Sequence, residues 1–181
     1  VLKPYNDIYQ YVKTVPENRT VLLSRKSANS RLVSSLPESV KVLDEENLTL
    51  LPKAIKNEIE VQNEKTAHIK DGVAMVKFMY WLKTNIGKIP MTEISASDYL
   101  EARRREQENF IDLSFTTISA YGANAAMMHY SATPESNTEL KPEGFLLVDS
   151  GGHYYEGTTD ITRTFVLGTI SDEMKQHFTA V

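Results

Sequence analysis

Residues 145–168 constrain this chain more than any other stretch: Phe-Leu-Leu-Val-Asp-Ser-Gly-Gly-His-Tyr-Tyr-Glu-Gly-Thr-Thr-Asp-Ile-Thr-Arg-Thr-Phe-Val-Leu-Gly. Two β-rich runs, 145–150 and 160–167, flank a connection holding Gly151, Gly152 and Gly157. That pattern predicts an antiparallel hairpin. A symmetric hairpin centred between Tyr154 and Tyr155 sets Asp149 directly opposite Asp160. Directly paired residues have Cβ atoms roughly 4.5–5.5 Å apart, where like charges repel. Such a pair persists at little cost when a cation sits between the carboxylates, or when one of them keeps a proton. A divalent metal ion is the simplest candidate. Aspartate is also frequent beside turns, where it caps backbone N–H groups, and spacing alone leaves that reading open.

The rest of the chain suits a folded protein. Its 181 residues are 41% hydrophobic and 24% charged, which excludes wholesale disorder. A net charge of −4 gives no reason to expect a nucleic-acid partner. The one basic run, Arg103-Arg104-Arg105, is followed at once by Glu106 and Glu108 and reads as a solvated helix face. With no cysteine there is neither a disulfide framework nor a thiolate metal site, which fits a reducing, cytoplasmic setting. The longest apolar stretch, Val73 to Leu82, is interrupted by Lys77 and is too short to span a bilayer, so no membrane partner is expected. The chain opens without Met and stops at Val181, inside a segment that reads as a helix begun at Ser171. Both ends read as cuts.

Periodicity divides the chain. Residues 4–14 predict a short helix with Ile8, Tyr11 and Val12 inward; 20–24 and 40–43 predict strands, and 27–35 a helix between them. This alternation suggests the end of a small α/β layer, with a boundary near 48–56. A long helix follows from about Asn57 to Ile86, broken by Gly87, with Val73, Val76, Met79 and Tyr80 inward and its second half buried on more than one side. Thr92 or Ser95 caps a second helix reaching about Gln107, with Glu101 and Arg105 paired on its face. From Leu113 onward the pattern turns to β, at 114–120, 144–150, 153–155 and 160–167. Helices followed by antiparallel strands indicate an α+β domain.

The segments Val148-Asp149-Ser150-Gly151 and Gly157-Thr158-Thr159-Asp160-Ile161-Thr162-Arg163-Thr164 resemble the first two metal-ligand strands of the pita-bread metallopeptidases. Within that superfamily the chain is similar to aminopeptidase P, the Xaa-Pro aminopeptidase. The likeness extends through Ala54-Ile55-Lys56-Asn57, Ala67-His68-Ile69-Lys70-Asp71, Trp81-Leu82, Thr92-Glu93-Ile94-Ser95-Ala96, Asp112-Leu113-Ser114-Phe115, Thr117-Ile118-Ser119 and His129-Tyr130. It is strongest to the longer, three-domain cytosolic form. By that resemblance, residues 1–47 are the end of its middle domain and 52–181 the first part of its catalytic domain.

The resemblance implies an enzyme with a dinuclear site, usually manganese, held by two Asp, one His and two Glu. Asp149 matches the aspartate that chelates one metal ion and Asp160 the one that bridges both, while the His and Glu ligands are expected beyond Val181. Hard oxygen ligands of this kind favour Mn²⁺. His129 matches the histidine that contacts substrate and steadies the developing oxyanion; without the resemblance, a lone His at such a position reads as a structural hydrogen-bonder. Thr162, two residues past Asp160, shares its face and is placed to hydrogen-bond a metal ligand, or is simply a β-favouring residue. Arg163 points the other way, Trp81 reads as core, and His68, His153, His177 and Glu156 are assigned no role.

The implied substrate class is peptides with proline second, and the family's habit makes a homodimer an expectation. The alternatives are a prolidase-like dipeptidase and a pita-bread protein that has lost its metal and serves as a binding module. The segment 1–47 argues against a single-domain methionine aminopeptidase. Both retained aspartates argue against a creatinase-like protein and against the binding module. With three of five expected ligands absent from it, the 181-residue chain alone is expected to be inactive.

Overall fold

A computed structural model describes all 181 residues, which divide into two units, Val1–Lys56 and Asn57–Val181. In the first, a 3-10 turn (Tyr5–Asp7) runs into helix α1 (Ile8–Val12). Strands β1 (Thr20–Leu23) and β2 (Lys41–Asp44) pair in parallel, and α2 (Ser30–Ser34) lies in the crossover between them. Parallel strands need such a crossover. Asn29 starts α2 by accepting from the N–H groups of Arg31 and Leu32. The expected inward face of α1 is corrected: Ile8 is 40% and Tyr11 65% exposed. Two four-residue strands and two five-residue helices enclose little, and Val40 is the one buried apolar residue of this unit. A further short helix, α3 (Leu50–Ala54), occupies the stretch read as a boundary.

The second unit opens with α4 (Glu58–Asn85), whose ends follow from local chemistry. Asn57 and Glu60 form a reciprocal capping box, and Gly87, at φ 75°, turns the chain away after the helix. Helix α5 (Glu93–Arg105) begins with a second capping box, Thr92 with Ser95. The inward face of α4 differs from the sequence reading. Ala67, Asp71, Ala74, Met75, Phe78 and Leu82 are buried, whereas Val73, Val76 and Tyr80 are 43%, 58% and 72% exposed. Between Val73 and Leu82 the residues are so uniformly apolar that periodicity could not select a face. The buried side also carries an acid, Asp71, which periodicity scores as outward.

The remaining five strands of the chain form its antiparallel part. Strand β3 (Phe110–Leu113) pairs with β6 (Gly152–Tyr154), and β4 (Ile118–Tyr121), β5 (Phe145–Ser150) and β7 (Ile161–Val166) form a three-stranded sheet with β5 central. Of the run read as a strand over 114–120, only 118–120 is strand, within β4, and 114–117 links it to β3. Helix α6 (Asp172–Ala180) is capped by Ser171, as read.

One face of the sheet meets the helices. Leu146, Val148 and Phe165 pack against Met75, Phe78, Leu82, Ala96 and Leu100, with Phe78 edge-on to Phe165 at 5.6 Å. Truncating Phe78, which is fully buried, would cost about 3–5 kcal/mol. Trp81 lies against this core, stacked on Tyr99 at 4.0 Å. The solvated reading of the Arg103–Arg105 run fails at Arg104. That side chain is fully buried and grips Asp71 through Nε and Nη2 at 2.6 and 3.0 Å, with the Tyr154 hydroxyl donating to the same carboxylate at 2.8 Å. Arg105 does remain exposed and pairs with Glu101. No helix is long and apolar enough to cross a membrane.

Candidate metal centre

Strands β5, β6 and β7 belong to one hairpin whose tip is the two-residue turn Tyr155–Glu156. The N–H groups of Tyr154 and Gly157 donate to each other's carbonyls at 2.8 and 3.1 Å. The turn centre therefore lies one residue later than the symmetric reading assumed. The ladder follows from it: His153 opposes Thr158, Ser150 opposes Ile161 and Asp149 opposes Thr162. The expectation that Asp149 faces Asp160 directly is thus corrected, and Asp160 continues the register opposite Gly151. An error of one residue at the turn moves each partner by two, and a shift of two preserves the face. Asp149, Thr162 and Asp160 accordingly share the face opposite the helical core, the two acids in a diagonal relation that spans roughly 7–8 Å between strands.

Thr159 fixes where Asp160 begins. It is fully buried, and its N–H donates to the Gly152 carbonyl at 2.9 Å. Its hydroxyl accepts from the Gly152 N–H at 2.9 Å, and its carbonyl accepts from the Ser114 hydroxyl, also at 2.9 Å. The backbone comes so close here that a Cβ on Gly151 would lie 1.9 Å from the Thr159 carbonyl oxygen. Only glycine fits. The Gly151-Gly152 pair thus serves a close crossing of strands rather than the turn itself.

The two acids have little protein company. Asp149, half-buried, accepts one hydrogen bond, from the Thr162 hydroxyl to Oδ1 at 2.8 Å. Asp160 is exposed and has neither a hydrogen-bond donor nor a basic partner on its side chain. Neither belongs to an ion pair. Two such oxygen donors on one face suit a hard divalent ion. No group of three or more His, Cys, Asp or Glu side chains converges anywhere in the chain. The donor set is therefore compatible with a metal ion and incomplete as a closed site.

His129 lies outside this hairpin in the sequence, on the connection that follows a 3-10 turn (Gly122–Ala126) after β4. It is exposed and sits in the left-handed backbone region at φ 56°, where non-glycine residues are uncommon. No hydrogen bond joins it to Asp149, Asp160 or Thr162. Two of the three remaining histidines form local contacts: His68 Nδ1 lies 2.8 Å from the Glu64 carbonyl and His153 Nδ1 2.8 Å from the Thr158 hydroxyl. Glu156, at the hairpin tip, pairs with Lys70 at 2.6 Å. Two residues that organise the region escaped the sequence reading. Thr159 looks like any β-favouring residue, and Glu93 looks like an ordinary acid in the first turn of a helix.

A model of metallopeptidase family M24 matches residues 62–181. Among curated relatives, the chain is 37% identical over its whole length to a probable Xaa-Pro aminopeptidase P of Verticillium alfalfae, covering 31% of that protein. It is 35% identical to Xaa-Pro aminopeptidase 2 of Mus musculus, covering 99% of this chain and 27% of that one. Among solved structures, the X-prolyl aminopeptidase of Caenorhabditis elegans, described as a cytosolic enzyme with a di-nuclear active site, superposes with a TM-score of 0.83 at 31% identity. That match covers 94% of this chain and 29% of the other. The Xaa-Pro dipeptidase of Bacillus anthracis shares the fold at a TM-score of 0.76 and 24% identity, over 95% of this chain and 47% of its own. The chain spans less than a third of the length of the relatives just named from V. alfalfae and M. musculus.

Proposed function

The chain belongs to metallopeptidase family M24 and carries part of its pita-bread α+β fold, and from that premise we propose that the whole protein is a metal-dependent exopeptidase. It releases the first residue from peptides whose second residue is proline. The observation that carries this reading is the placement of Asp149 and Asp160 on one open sheet face, without cationic partners, next to a threonine that orients the first of them.

In this reading Asp149 and Asp160 hold divalent metal, two Mn²⁺ ions in the complete site. Such ions, when bound, polarise a carbonyl oxygen and bring water ionisation toward neutral pH. The chain's own residues do the rest. Thr162 restrains the Asp149 carboxylate through Oδ1 and leaves Oδ2 without a protein partner. Thr159, pinned to Gly152, fixes the backbone from which Asp160 projects. His129 donates a hydrogen bond to the oxygen on which negative charge develops, a contribution that grows in the transition state. Residues 1–47 are the end of a middle α/β domain and 52–181 the first part of the catalytic domain. A cytoplasmic setting is supported by the nematode enzyme's description, and a homodimer remains the assembly to test.

The experiment is hydrolysis by the full-length protein with Mn²⁺ added, using a tripeptide with proline second and the matching Xaa-Pro dipeptide. Release of the first residue from the tripeptide is expected. Cleavage of the dipeptide alone would make it a prolidase, and metal binding without turnover of either would make it a binding module.

A further inference from the structure

The loop that carries His129 is tied at both ends to one buried carboxylate. Glu93 is fully buried at the first position of α5, and every partner of its side chain is neutral. Its Oε1 accepts from the Tyr121 N–H at 2.7 Å and from the Asn124 amide at 3.0 Å, both on the entry side of the loop. Its Oε2 accepts from the Tyr130 hydroxyl at 2.8 Å and the Thr138 N–H at 3.0 Å, both on the exit side. The Glu93 N–H completes the joint by donating to the Thr138 carbonyl at 3.1 Å. Burying a carboxylate without a cation is costly unless several donors meet it. Here four separate groups do so, and the positive end of the α5 dipole adds to them.

His129 itself has no such anchor. That residue is exposed, has no hydrogen bond and keeps a left-handed backbone at φ 56°, a conformation that persists only where its surroundings impose it. Its immediate neighbour Tyr130 is buried, with its hydroxyl on Glu93. We infer that Glu93 is a positioning residue for His129, holding the loop 122–138 so that the imidazole reaches the reacting carbonyl. The inference rests on the role given to His129 above.

Glu93→Gln tests it with little change in shape. A carboxylate offers acceptors only, whereas glutamine turns one oxygen into an NH₂ donor. Whichever way the amide is placed, it confronts a backbone N–H, of Tyr121 or of Thr138. In the full-length enzyme, E93Q should lower kcat about a hundredfold, the scale of a misplaced catalytic group, with a far smaller change in KM. The double variant E93Q/H129A should be no slower than H129A alone, because both remove the same contribution. Hydrogen exchange of amides 122–138 should accelerate in E93Q. Additive losses in the double variant, or unchanged exchange of the loop, would overturn the inference. A fully active H129A enzyme would overturn the role of His129 and the catalytic consequence for Glu93, while the exchange rates report on the anchoring separately. If E93Q does not fold, Tyr130→Phe removes one of the four donors and should show the same non-additivity on a smaller scale.

Discussion

Thr162 stands directly opposite Asp149 in the β5–β7 ladder, and its hydroxyl donates to Asp149 Oδ1 at 2.8 Å. This is the only hydrogen bond made by either aspartate side chain. It leaves Asp149 with one restrained oxygen and one free oxygen on a face that the helical core does not cover. A carboxylate fixed in this way binds a cation without first losing its own rotational freedom.

Thr162→Val therefore keeps the β-branched shape and loses the donor. Mn²⁺ affinity or turnover of the full-length protein should fall about ten- to a hundredfold, the usual range for groups that orient a metal ligand. Thr162→Ser should retain most of both. Titration calorimetry with Mn²⁺ distinguishes the two, and equal affinities would mean that the hydroxyl does not act on the site.

Asp160→Asn should abolish hydrolysis while sparing the fold. The side chain is exposed and makes no hydrogen bond, so its replacement should change unfolding free energy by no more than about 0.5 kcal/mol. Turnover at the original rate would remove Asp160 from the mechanism.

The 181-residue chain alone should not hydrolyse an Xaa-Pro peptide in the presence of Mn²⁺. Two carboxylates form an incomplete ligand set, and affinity falls steeply with ligand count. Measured turnover near that of the full-length protein would show that its metal site is complete without the rest.

Helix starts and the pairing of β5 with β7 were legible because local chemistry writes them, whereas the pairings of β3 with β6 and of β4 with β5 were not. Asn57 with Glu60, Thr92 and Ser171 mark their helices by capping, and the Gly151–Gly157 segment marks a hairpin. The exact register was not legible, because Tyr155–Glu156 has none of the Asn-Gly or Asp-Gly character that announces a two-residue turn. The face shared by Asp149 and Asp160 survived that error only because strands repeat every two residues. Long-range partners left no trace. Asp71 finds Arg104 and Tyr154, and Glu93 finds Tyr130 and Thr138, through tertiary packing, and in the sequence each is one acid among many.

The Asp71–Arg104 pair gives a stability prediction. Both side chains are fully buried, and the Tyr154 hydroxyl joins them, its ionisation pushed well above the usual phenol range by burial and then by Asp71. Arg104→Met leaves Asp71 buried without its cation and should destabilise the second unit by about 3–5 kcal/mol. Replacing both, as Asp71→Leu with Arg104→Met, should recover much of the loss, since the uncompensated charge goes with it. Urea unfolding measures both variants, and a double variant as unstable as the single one would contradict this account.

Glu156 gives the pH prediction. It accepts from Lys70 at 2.6 Å and from Asn109 at 2.9 Å, and these bonds hold its carboxyl below the ordinary value of 4.5, against a smaller opposing effect of desolvation. Because the folded state binds this proton less readily than the unfolded one, the interaction stabilises the fold at pH values above the unfolded pKa. The benefit shrinks as pH falls through the lowered folded value and is gone below it. The Tm difference between the parent chain and Glu156→Gln should therefore be constant near neutrality and close progressively below about pH 4.5. A gap that stays constant or widens in acid would mean that the Lys70 pairing, which fastens the hairpin tip to α4, contributes nothing through its charge.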